Sequence, residues 1–442
     1  MNTGAIGNAG QITLETRQLT LTTGSQIASS SDGQGRAGRI TAQNVDRITL
    51  DNSRISTEIA ANGTAETLNE SDRGNITLSA QTLSLDNGST ITARTAGFRE
   101  PGLNNAGQID LTTATTTLTN GSTIQTNTAG SGTAGDINLI ATEGLFLSGS
   151  NSGIFSSTEE GSTGNAGNIT IDPPIVDMRD GAGIAVNSLG SGLGGNITLF
   201  AGDLNLTNNA FISALTRSSG GGNIDLLIGN NLILQNNSFI STEAGTAQAG
   251  GDGGNITLSS FFTIGRNNSD IIANAFEGNG GSINITTQGL FGFTVKNVDN
   301  PRQDPRNNIT ASSRFGSSGT TNISTTVDPA QGLTGLPGNL VDPSSLIDRR
   351  CDLARTPKAS RFVILGKGGL PATARDLLSF TPLWTDLDLA TPVPVDSSLL
   401  PHTLAPLMLS PAEFPSALNT GEPLHLDRAI GLTQFLSNRC SN

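Results

Sequence analysis

Few residues in this chain carry the chemistry of catalysis or metal binding. Histidine occurs twice, at His402 and His425, and cysteine twice, at Cys351 and Cys440. The histidines stand 23 positions apart in a proline-rich stretch with no thiols at zinc-finger spacing, so ligand count assigns no metal residue. Gly250-Gly251-Asp252-Gly253-Gly254 matches one copy of a calcium-binding glycine–aspartate repeat. Such sites need successive copies, so a corner loop is expected there. Gly366-Lys367-Gly368-Gly369 lacks the spaced first glycine and the following hydroxyl of a phosphate loop and reads as a turn. Carboxylates that might work on a polysaccharide are isolated, as at Asp110 and Asp225, among Thr, Ser and Asn. A β-helix enzyme would need acids and bases converging on adjacent coils. The sequence therefore assigns no catalytic residue, no metal, no cofactor and no ligand-binding residue, and the chain is not expected to be an enzyme.

Composition narrows the classes further. The 442 residues are 35% apolar before their 55 glycines are counted, and only 14% charged, against roughly 25% charged in ordinary globular domains. A large conventional globular enzyme is not expected on that ground. The steady supply of Ile, Leu and Thr with low charge does not fit disorder. A net charge of −13, with scattered arginines such as Arg36, Arg39 and Arg47, argues against nucleic acid. No apolar run is long enough for a membrane helix, and the first residues hold no signal peptide.

What would position any site is an internal repeat. Gly74-Asn75-Ile76-Thr77-Leu78 recurs from Gly195 and from Gly254, with looser copies from Gly10, Gly38, Gly107, Gly135, Gly167, Gly222 and Gly281. The marker isoleucines are 12, 40, 76, 109, 137, 169, 197, 224, 256 and 283, with a degenerate copy expected at Ile323. Their spacings run 28, 36, 33, 28, 32, 28, 27, 32 and 27. Each unit holds three short runs of alternating apolar and polar residues, such as Ile76 to Leu78, Leu83 to Leu85 and Thr90 to Thr92. That period of two is the mark of strands with one buried face.

Within a unit the steps are constant. Ile12, Leu19 and Ile27 are separated by 7 and 8, as are Ile76, Leu83 and Ile91. Length varies only before the next marker: 13 residues after Ile27, 21 after Ile55 and 12 after Ile212. A constant frame with insertions at one corner predicts a right-handed parallel β-helix of three-strand coils, about 10–11 of them. Coils about 4.8 Å apart would build a rod on the order of 50 Å long. The repeat corners Gly74, Asn75, Gly195, Asn196, Gly254 and Asn255 fit this frame. Glycine suits a positive φ or a close backbone approach, and stacked asparagines can hydrogen-bond along the axis. An outward threonine column (Thr13, Thr77, Thr170, Thr198, Thr257) is interrupted by Asp110, Asn138, Asp225 and Asn284, which argues against a regular lattice-matching face. The Asn-x-Thr triplets, such as Asn75-Ile76-Thr77, follow from the repeat itself.

Composition breaks near residue 327. Of 18 prolines, 13 lie from Pro329 onward, against 8 of 55 glycines. The expected division is a solenoid over 1–327, a cap region over 328–380 and a Pro-rich tail over 381–442. An end of a solenoid exposes strand edges and core, so residues 328–370 are expected to cover the last coil.

The G-N-I-T-L units, the N-G-S-T-I turns at Asn87 to Ile91 and Asn120 to Ile124, and the Gly/Ser/Thr-rich corners resemble cyanobacterial filamentous-haemagglutinin-like exoproteins. The tail adds Leu336-Pro337-Gly338-Asn339-Leu340-Val341-Asp342-Pro343, Cys351, Ser360-Arg361-Phe362 and Gly366-Lys367-Gly368-Gly369-Leu370-Pro371 to that resemblance. The resemblance implies a secreted or surface-held adhesin-like protein, exported through an outer-membrane two-partner transporter and able to meet surface glycans or other cells. Such proteins begin with a signal peptide and a secretion domain. This chain opens in repeat register at Gly10-Gln11-Ile12, so it is expected to be a C-terminal portion. In an extracellular protein Cys351 and Cys440 are expected to pair, closing a loop worth roughly 4–5 kcal/mol, with two free thiols as the other outcome. A polysaccharide-active β-helix enzyme and a non-functional fragment of a larger exoprotein are the alternatives.

Overall fold

The structure is a computed structural model that describes residues 7–31, 36–59, 74–96 and 105–326. The chain divides into two compact units, Met1–Thr334 and Gly335–Asn442. The expected cap, the Pro-rich tail, His402, His425 and the Cys351–Cys440 pair lie outside the described residues.

The first unit is an all-β solenoid of parallel strands. One sheet has 15 strands and contains every marker isoleucine; a second, the return sheet, has 11. Nine successive pairings join ten marker isoleucines in register, from Ile12 opposite Ile40 to Ile256 opposite Ile283. At the eleventh strand the expectation needs correction. Ile283 faces Thr321, and Ile323 lies opposite Ile285. Ile323 therefore continues the neighbouring Leu258–Ile285 column, two residues past the marker position.

The core follows from the period of two. From Ile40 to Ile283 every marker is fully buried. Beside them run Leu78, Leu111, Leu139, Ile171, Leu199, Leu226, Leu258 and Ile285. Each such side chain contributes about 1.5–3 kcal/mol by burial, but only because the coils above and below cover it. Two hydroxyl pairs interrupt the apolar interior, Thr113 with Thr116 at 2.9 Å and Ser260 with Thr263 at 2.7 Å, and each satisfies its own polar atoms.

The three expected pieces per coil are not separate everywhere. Ile12–Leu14, Gln18–Thr22 and Gln26–Ala28 form the first coil as read. In the next four coils the first two pieces fuse into the single strands Ile40–Asp51, Ile76–Asp86, Ile109–Thr119 and Ile137–Ser148. Pro173-Pro174, Gly202 and Gly229 then split the strand in the coils of Ile169, Ile197 and Ile224. Fusion returns at Ile256–Arg266. Proline cannot donate to the ladder, which accounts for the division at Pro173-Pro174; glycine alone does not decide it, because Gly144 and Gly289 lie within fused strands.

The glycine corners serve close approach more than unusual dihedrals. Gly74 has φ +78°, but Gly195 and Gly254 do not have positive φ. A Cβ on either would lie 1.9 Å from the carbonyl oxygen of the corner glycine one coil back, Gly167 or Gly222. Positive φ instead belongs to the turns after the second piece, at Asn87, Asn120, Asn208, Asn236 and Asn267. Asparagine tolerates that region better than other side chains.

Candidate functional site

Most outward polar groups are committed to neighbouring coils. At the corner, Asn196 donates its backbone N–H to Asn168 Oδ1 at 3.0 Å, Asn223 does the same to Asn196 Oδ1 at 3.0 Å, and Asn255 to Asn223 Oδ1 at 3.0 Å. The expected ladder is present, and Asp136, Gln108 and Ser282 extend it as partners of Asn168, Asn75 and Asn255. A second ladder, which the sequence reading missed, runs through the turns: Asn208 Nδ2 to Asp180, Asn236 to Asn208, and Asn267 to Asn236 at 2.8–3.0 Å. The threonine column is in register with Asp110, Asn138, Asp225 and Asn284, as read. Asp252, from the single glycine–aspartate stretch, accepts the backbone N–H of Asn279 at 2.7 Å. Among the described residues no three metal-ligating side chains come together.

Charged residues gather in two places on the return side. In the first half, Glu58 and Arg94 are cross-strand partners. Arg94 donates to Glu58 at 3.1 Å and to Glu159 at 2.8 Å. Burial opposes its charge, yet the two carboxylates hold its pKa above the ordinary value. The side chains are about a third exposed, and the three form a clamp between coils.

The second place is built differently. The coil after Ile283 is enlarged, with Thr320 stacked on Ser282 38 positions earlier. Between Phe293–Val295 and Asn307–Thr310 the chain leaves the return sheet, makes a short 3-10 turn at Pro301–Gln303 and comes back. Four contacts pin this excursion. Arg302 donates to Glu243 Oε2 at 2.6 Å, and its guanidinium lies 3.9 Å from the Phe239 ring centre. Phe239 stacks on Phe211 at 5.5 Å. Buried Asn274 donates to Val298 O at 2.9 Å while accepting from Thr310 Oγ1 and the Ser312 N–H. Ser312 Oγ reaches Asp299 Oδ1 at 3.0 Å. At the far side Arg306 forks onto Asp304 and holds that carboxyl down at about pKa 2.

The excursion leaves a half-open cleft of about 330 Å³, lined by Glu243, Asn274, Phe276, Asp299, Asn300 and Arg314. Arg314 lies 5.4 Å from the Phe276 ring centre and 5.5 Å from that of Phe315, and the two rings meet edge-to-face at 5.1 Å. Among the described residues no hydrogen bond reaches the Arg314 guanidinium, Glu243 Oε1, Asp299 Oδ2 or the Asn300 amide. This convergence of Glu243 from the coil of Ile224 with Asp299 and Arg314 from that of Ile283, across Asn274 and Phe276 of the coil between, was not expected from the sequence. Its residues lie up to 71 positions apart, and the one local signal was the charge-dense run Asp299-Asn300-Pro301-Arg302-Gln303-Asp304-Pro305-Arg306.

The fold and its stacked corners define the class of protein as a β-solenoid repeat protein. Comparison with protein-family models, curated proteins and solved structures gives no match.

Proposed function

We propose that this chain is the solenoid portion of a secreted or cell-surface adhesin-like protein, of the filamentous-haemagglutinin-like kind its motifs resemble. The solenoid is a stiff spacer, and its corner loops and polar sides are the contact surface. Export runs through an outer-membrane two-partner transporter. The observation that supports the reading is the continuous stack, with ten markers in register and a corner ladder joining the coils of Ile137 to Ile283. Such a stack resists bending because every coil is held to its neighbours.

Antibody labelling of intact host cells, with protease shaving and assay of the medium, tests this. Detection outside the cell is expected. Confinement to the cytoplasm would leave an unexported fragment and overturn the adhesive role. A second reading, a polysaccharide-active β-helix enzyme, is supported by one observation, the meeting of Glu243, Asp299 and Arg314 around one cleft. Release of new reducing ends from a polysaccharide by the purified chain is its test.

A further inference from the structure

We infer that the cleft at Asn274 is a binding site for a neutral glycan, with Arg314, Asp299 and Glu243 as its polar contacts. This deepens the adhesive reading and rests on it for biological meaning. The argument begins with a contrast. Along the ladders the asparagine and aspartate side chains already serve the next coil. In the cleft a donor-only guanidinium, two acceptor-only carboxylate oxygens and an amide that does both are left open and face one space. A sugar hydroxyl donates and accepts at once, so it can satisfy all three kinds of group.

Charge and shape narrow the ligand. Arg314 disfavours a cation, while Glu243 and Asp299 disfavour a polyanion, so the mixed signs select a ligand without formal charge. The volume of about 330 Å³ sits at the small end of ligand sites, which run from about 300 to 1,000 Å³. It suits one or two sugar rings in place of a folded partner. Phe276 and Phe315 give an apolar edge for the C–H side of a ring. A peptide would seek an open strand edge; the return strands that carry the cleft, Phe239–Ser241, Asp270–Ile272 and Asn307–Thr310, are each paired on both sides, and the open edge of that sheet is Phe293–Val295. The walls are also set in advance. Asn274 is buried, donating to Val298 O and accepting from Thr310 Oγ1 and the Ser312 N–H, and Arg302 is clamped between Glu243 and Phe239. Little ordering is left to oppose binding.

The test is a glycan array of neutral and acidic oligosaccharides probed with the full chain, followed by calorimetric titration of the best neutral ligand. Saturable binding of a neutral oligosaccharide is expected. Arg314→Ala, at an exposed position, should weaken it about tenfold or more, the scale of a hydrogen bond to a charged group. Asp299→Asn, which keeps the acceptor for Ser312, should weaken it less. Arg217→Ala, which removes a remote pair with Glu160, should leave it unchanged. Absence of binding, affinity confined to acidic glycans, affinity indifferent to Arg314→Ala, or cleavage of the bound oligosaccharide would each overturn the inference. Binding by a chain confined to the cytoplasm would sink the adhesive role and leave this site standing. A surface-exposed chain that binds nothing would do the reverse.

Discussion

The coils of Ile40 to Ile137 and those of Ile169 to Ile224 share one marker column but close in different ways. The first set has marker-sheet strands of 12, 11, 11 and 12 residues and return strands of 6. The second set has split strands of 4 or 5 residues and return strands of 3. In the first set a side chain bridges the corner: Thr57 Oγ1 donates to Gly74 O and Thr126 Oγ1 to Gly135 O. In the second the main chain closes the corner, with Gly195 N–H to Val186 O at 3.4 Å, Gly222 N–H to Ala214 O at 3.0 Å and Gly254 N–H to Thr242 O at 2.9 Å, and at Gly254 the Thr242 hydroxyl adds a side-chain bridge to Gly254 O at 2.8 Å. Close backbone approach is common to both: a Cβ on Gly135 would meet Gly107 O at 1.9 Å, as one on Gly254 would meet Gly222 O; what differs is whether a main-chain N–H also bridges the corner. One repeat thus has two corner designs, and they should fail differently.

The largest effect is expected at a main-chain corner. Gly254→Ala puts a methyl 1.9 Å from Gly222 O, which should cost about 3 kcal/mol as overpacking against backbone. Gly88→Ala has no atom within 4 Å and only its φ of +71° to oppose it, so about 1 kcal/mol is expected. Urea unfolding of the two variants separates clash from dihedral strain. Equal losses would remove the close-approach account of the corner.

A side-chain corner should yield less. Thr57→Val leaves Gly74 O without its buried donor, a loss of about 1–2 kcal/mol. Thr126→Val should cost less, because Ser156 Oγ also donates to Gly135 O at 2.8 Å. Hydrogen exchange at the neighbouring coils would show the difference, and a larger loss for Thr126→Val would break the comparison.

The charged contacts come next. Arg94→Ala removes a partly exposed clamp and should cost about 0.5 kcal/mol, fading in 1 M salt. Arg302→Ala also removes the stacking on Phe239, so its loss should be larger and should partly survive high salt. Thermal unfolding at two salt concentrations checks both. Identical salt dependence would make the Arg302 contact another surface pair.

The sequence made the frame legible because burial repeats with the strand: an alternation that places Ile76 inside also places Leu78 inside and Thr77 outside. The corner asparagines were legible as a ladder for the same reason, since equivalent positions stack. Two things were not. Whether two strand pieces fuse depends on residues between them, and Ser260-Phe261 continues a strand where Gly229-Asn230 does not, although both segments follow the same apolar run. The cleft depends on Asp299 being carried back beside Glu243 and Arg314 by an excursion whose path is set by Asn274 and Arg302. Repeat register says nothing about a segment that leaves the repeat.

Two carboxylates sharpen the comparison through pH. Asp86, at a first-half turn, accepts from Thr119 Oγ1 at 2.7 Å, Asn120 Nδ2 at 2.7 Å and the Asn87 N–H at 2.9 Å. The Thr119 bond foremost lowers its pKa below the ordinary carboxylate value. Its contribution to stability is therefore complete above about pH 4 and is lost as pH falls through the lowered value. Asp270, in the second half, is buried, and burial raises its pKa despite the Asn308 amide and N–H and the nearby Arg302, with Asp304 adding to the rise. There the folded state holds the proton more tightly than the unfolded one. The carboxyl costs nothing at low pH and destabilises progressively from about pH 4 up through its raised value. Urea midpoints from pH 2.5 to 7 should accordingly show Asp86→Asn flattening the acid side and Asp270→Asn gaining relative to the wild type as pH rises. An Asp270→Asn curve parallel to the wild type would mean that this carboxyl titrates alike in both states, and that the second half tolerates a buried charge as readily as the first tolerates an exposed one.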